Sequence, residues 1–67
     1  MTATFAQYLD AQLHRDDPVG DLARDAEHDP EPITSPDGLL DRMGRLGASV
    51  EALAALARAR TEWEATR

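Results

Sequence analysis

Four arginines, Arg42, Arg45, Arg58 and Arg60, carry the most suggestive chemistry in this 67-residue chain. Spread over two predicted helices with Trp63 nearby, they form a candidate surface for phosphate or an acidic partner. The same positions allow a plainer role. Asp41–Arg45, Arg58–Glu62 and Arg60–Glu64 all stand at i, i+4, where ion pairs along a helix contribute about 0.3–0.5 kcal/mol each. The other reactive side chains read as structural. General acid–base work needs a carboxyl raised in pKa by a water-poor pocket, whereas Asp16, Asp17 and Asp21 read as capping and first-turn acids. Ser35 and Ser49 read as N-caps with no base beside them. His14 and His28 lie on different predicted elements and match no metal-ligand spacing. His14 reads as a surface residue, and His28 falls in a last helical turn, where its charged form suits the helix dipole. The chain has no cysteine, which removes disulfides and thiolate zinc sites. Phosphate-loop, dinucleotide and HExxH motifs are absent. Gly44-Arg45-Leu46-Gly47 has the G-x-x-G spacing of KH loops but not their βααβ surroundings. The expectation is a protein with no catalysis, no cofactor and no metal.

The elements that must position these residues are helical throughout. Thr4 caps a first helix over 4–14, with Phe5, Tyr8, Leu9 and Leu13 on one stripe. Asp17-Pro18 is a cap followed by a proline at the first helical position, whose missing N–H would have had no partner anyway. Val19, Leu22, Ala23 and Ala26 then trace the inner face of a helix over 18–28, and Pro30 stops it. Pro30 and Pro32 stiffen the connection 29–35, with Ile33 expected to pin it to the core. Ser35-Pro36 repeats the cap-and-proline signal for a helix over 36–46. Its apolar face is Leu39, Leu40, Met43 and Leu46, and Gly47 supplies the left-handed residue that closes it. Gly44 within it suggests close approach of a neighbouring helix. Ser49 caps a last helix over 50–64, whose buried stripe is expected to be Val50, Leu53, Leu56 with Ala57, and Trp63. A tail bearing the only tryptophan is expected to be docked.

Apolar residues make up 42% of the chain, yet 12 of them are alanine. The remaining side chains suit a small bundle of closely approaching helices with no ligand chamber, and no stretch alternates as a strand would. No apolar run is long enough to span a membrane. No basic-then-apolar leader opens the sequence, so a cytoplasmic protein is expected. The net charge is −6. Acids dominate 1–38, while 39–67 is nearly balanced by arginine, which suits a soluble monomer.

These residues resemble the YozE family of small bacterial proteins, whose fold is similar to the sterile alpha motif. The resemblance rests on Phe5-x-x-Tyr8-Leu9, on the block Asp17-Pro18-Val19-Gly20-Asp21-Leu22-Ala23-Arg24-Asp25 with His28-Asp29, on the helix around Leu40 and Met43, and on Ala59-Arg60-x-x-Trp63-Glu64. Arg60 stands where the family has tryptophan, Trp63 where it has tyrosine, and Arg42 where it has an aromatic residue. Pro32-Ile33 replaces its Phe-Pro. The resemblance implies a fold, a compact all-α four-helix SAM-like orthogonal bundle over 1–67, and no activity.

Three functions fit. The first is a protein–protein interaction module using Arg42, Arg45, Arg58, Arg60 and the edge of Trp63. The second is a nucleic-acid-associated protein in which Gly47 is the turn of a helix-turn-helix. Glu51, Ala52, Ala54 and Ala55 offer that helix few base-reading groups, and the net charge repels phosphate. The third is an acidic inhibitor whose Asp10, Asp16, Asp17, Asp21, Asp25 and Glu31 imitate nucleic-acid phosphates.

Overall fold

A computed structural model describes residues 3–32 and 35–66, and contains four helices and no strand among them. They are α1 (Phe5–Asp10), α2 (Pro18–His28), α3 (Pro36–Arg45) and α4 (Val50–Ala65). The all-α reading holds. Each helix begins where the capping residues require. Thr4 forms a capping box with Gln7, and the Asp17, Ser35 and Ser49 side chains accept from the N–H groups of Gly20, Gly38 and Ala52. Gly47, at φ 72°, closes α3. Its N–H donates to the Gly44 carbonyl at 3.3 Å and the Ala48 N–H to the Met43 carbonyl at 3.0 Å, which completes a Schellman motif.

The first helix is shorter than its apolar stripe predicts, and residues 11–14 form turns. The chain must bend so that Arg15 can lie over α2. The Arg24 guanidinium donates to the carbonyls of Leu13 at 2.8 Å and Arg15 at 2.9 Å, holding the bend. Gly20 makes that contact possible, because a Cβ there would stand 2.0 Å from the Arg15 carbonyl oxygen. Close approach thus occurs at Gly20 and not at Gly44, where a Cβ would meet nothing within 4 Å.

The core consists of Phe5, Leu9, Val19, Leu22, Ala23, Leu39, Met43, Ala55, Leu56 and Ala59, with Tyr8, Leu13, Leu53 and Trp63 packed at its edge. Helix α4 contacts each of the other three. Trp63 is docked, its ring edge-on to Phe5 at a centroid distance of 5.5 Å and its Nε1–H donating to the Ala3 carbonyl at 2.8 Å. The expected inner stripe of α4 needs correction. Ala55, Leu56 and Ala59 face inward, Leu53 is half-buried, Ala57 is exposed, and Val50 is 79% exposed. The alanine face lets α4 come close to α2, which a valine face would hinder. On α3, Leu39 and Met43 are buried as expected, but Leu40 and the C-cap Leu46 are 47% and 65% exposed. The expected anchor Ile33 lies outside the described residues.

Candidate interaction surface

The arginines do not converge. Arg42 and Arg45 lie together at the end of α3, near Glu31 at 3.2 and 4.0 Å. Arg58 and Arg60, two residues apart on α4, point away from each other. Arg58 reaches Asp17 at 3.8 Å, before α2, while Arg60 reaches Asp37 at 3.2 Å, in the first turn of α3. The three anticipated i, i+4 pairs all form, Asp41–Arg45 at 3.2 Å, Arg58–Glu62 at 3.1 Å and Arg60–Glu64 at 3.0 Å. Each of these arginines also has a partner from outside its own helix.

The strongest of those partners is Asp29. Arg42 donates through Nε and Nη2 to its two carboxylate oxygens at 2.9 and 2.8 Å, a bidentate fork that ties the Pro-rich connection to α3. The fork and the Glu31 N–H hold the Asp29 carboxyl below the usual carboxylate range, and Asp29 in turn holds Arg42 charged. A second cluster joins α1, α2 and α4. Arg15 lies between Asp17, at 2.6 Å, and Glu62, at 2.6 Å. The Tyr8 hydroxyl donates to Glu62, and Arg58 approaches the other Glu62 oxygen. Donation from Arg15 and then from Tyr8 brings the Glu62 carboxyl down to about 2. Burial, followed by the bond to Glu62, pushes the Tyr8 phenol up to about 12. Donation from Arg15 and the Gly20 N–H also lowers Asp17.

These clusters leave the charge of the two signs unequally placed. Every arginine among the described residues is in an ion pair: Arg15, Arg24, Arg42, Arg45, Arg58 and Arg60. Asp10, Asp16, Asp25, Glu27 and Glu51 make no ion pair among the described residues. Asp25 and Glu51 stand on the two sides of a surface groove between α2 and α4, a depression of about 260 Å³ lined by Leu22, Ala52 and Ala55 among others. It runs into a larger one of about 400 Å³, where Ala26 faces Leu39 and Met43 of α3 and its C-cap Leu46. The two share Asp25, Ser49 and Ala52. The groove draws on three elements, so residue spacing does not reveal it. Its acidic side is visible in the sequence, since Asp21, Asp25 and Asp29 recur every four residues. No group of three or more metal-ligating side chains occurs among the described residues, and no helix there is long and apolar enough to cross a membrane.

No family model, curated protein or solved structure matches this chain.

Proposed function

We propose that the chain is a non-catalytic protein-interaction module that docks a partner through α3 and the start of α4. One observation carries this reading. The three large apolar side chains exposed among the described residues, Leu40, Leu46 and Val50, all belong to this one helical hairpin. Leu46 borders the depression facing α2, while Leu40 borders another with Leu53 and Ala57, so the unit offers apolar contact on more than one side. Protein is favoured over nucleic acid because each described arginine already has a carboxylate partner, while phosphate binding needs cations to spare. The non-catalytic part draws support from Tyr8 and Glu62. Burial and then Glu62 raise Tyr8, and Arg15 and then Tyr8 lower Glu62, so each is held further from neutral pH, the reverse of what proton transfer by this pair needs. The resemblance to the YozE family and its SAM-like fold adds an analogy in the same direction.

The test is affinity capture from host lysate with the unchanged chain, with Leu46→Asp and Val50→Asp, and with Asp10→Asn as a control at the exposed end of α1. A protein retained by the unchanged chain and the control, and lost with both aspartates, is the expected result. Equal recovery with all four, or no recovered protein at all, counts against the module.

A further inference from the structure

We propose that the groove between α2 and the α3–α4 unit receives a basic amphipathic helix of a partner protein. The inference rests on the interaction reading and supplies the chemistry of the partner. The floor of the groove is apolar, formed by Leu22, Ala26, Met43, Ala52 and Ala55, and the exposed Leu46 stands at its edge. Along α2, Asp21, Asp25 and Asp29 form a rail at successive turns, and Glu51 stands across from it. Asp21 is held by Arg24 and Asp29 by Arg42. Asp25 and Glu51 make no ion pair among the described residues and face the groove from both sides.

Arg42 also lines the larger depression, bound to Asp29, so an occupant must present an apolar stripe to the floor and positive charge beside Asp25 on one edge and Glu51 on the other. A helix with Leu-type residues at i, i+3, i+4 and i+7, flanked by Lys or Arg, meets both demands. The acidic rail from Asp21 to Asp29 runs for about 12 Å at 1.5 Å per residue, room for roughly two turns of a partner helix. A second copy of the chain is the poorer occupant. It would bring its own net charge of −6, and its arginines among the described residues already have carboxylate partners. The long-range field also acts in favour of a basic partner, steering it to the acidic half of the molecule.

The experiment uses three synthetic 14-residue helical peptides that share one leucine stripe and carry Lys, Glu or Gln at the flanking positions. Binding to the full chain is measured by fluorescence anisotropy of the labelled peptides, and the contact is mapped by amide chemical shifts. The Lys peptide is expected to bind with a micromolar Kd that rises severalfold with salt. Its shifts should centre on Leu22, Asp25, Leu46 and Ala52. Asp25→Lys and Glu51→Lys should each weaken it about tenfold, and Asp10→Lys, an identical charge change elsewhere, less than twofold. Shifts spread equally over Asp10, Asp16 and Glu27, or equal loss with all three lysine variants, would overturn the proposal, as would no binding of the Lys peptide. Equal binding of the Glu or Gln peptide with shifts at Leu46 would remove the basic partner and leave the interaction reading standing. Shifts at Leu46 and Ala52 that grow with protein concentration alone would make a second copy the occupant, which also overturns it.

Discussion

At the scale of single residues, Glu62 does the most for its size. It accepts from Tyr8, Arg15 and Arg58, which come from three different parts of the chain. Its carboxyl lies near 2 in the folded protein against an ordinary value of 4.5. Its stabilising effect is therefore complete above pH 4.5 and is lost as the pH falls through 2. Glu62→Gln should lower stability by about 1 kcal/mol at neutral pH, a modest figure because the cluster is partly open to water. Thermal unfolding followed from pH 7 down to pH 2 should also fall less steeply for the variant, although Asp17 and Asp29, lowered in the same direction, keep some slope. Parallel curves for the two proteins would mean that Glu62 is not held as described. Tyr8 gives the opposite sign. With its phenol at about 12, its contribution is intact below pH 10 and disappears as the pH rises through 12. It is the only tyrosine, so ultraviolet titration reads it directly, and a midpoint near 10 would show the hydroxyl to be neither buried nor bonded to Glu62 as described.

At the scale of the elements, three glycines separate three physical roles. Gly20→Ala puts a Cβ against the Arg15 carbonyl. Neither backbone can move away easily, so a loss of about 3 kcal/mol is expected. Gly47→Ala forces an L-residue into positive φ and should cost about 1 kcal/mol. Gly44→Ala meets nothing and should stabilise α3 by about 0.5 kcal/mol. Urea unfolding of the three variants checks the order, and destabilisation by Gly44→Ala would revive the close approach that the sequence suggests there. The ends of the helices are legible from sequence, because caps are local. Asp17-Pro18, Ser35-Pro36 and Ser49 each satisfy an amide three residues onward whatever the rest of the chain does. The end of α1 is not legible. It depends on Arg24, more than ten residues away, capturing the Leu13 carbonyl.

At the scale of the molecule, a radius of gyration of 10.8 Å lies close to the roughly 11 Å expected of a compact chain of this length. A domain so small has total stability of about 3–10 kcal/mol. Leu56→Ala, which removes a core side chain, should cost about 2–5 kcal/mol and leave much of the protein unfolded at 37 °C. Leu46→Ala should change stability by less than about 0.5 kcal/mol, because that side chain is already largely in water. Thermal unfolding distinguishes them, and similar losses for both would place Leu46 in the core after all.

Helix type, helix order and four start signals were determined by the sequence alone, because hydrophobic spacing and capping act within a few residues. Tertiary structure decided which side of α4 faces inward. Val50, Leu53 and Ala57 offer one apolar face and Ala55, Leu56 and Ala59 another, and only packing against α2 selects the smaller. It also decided where the arginines point. Their i, i+4 partners can be read along one helix, but Asp29, Asp17 and Asp37 reach them only when the chain folds back on itself. The groove has the same origin, since its acidic rail, its apolar floor and Glu51 lie far apart along the chain and meet only where three helices pack.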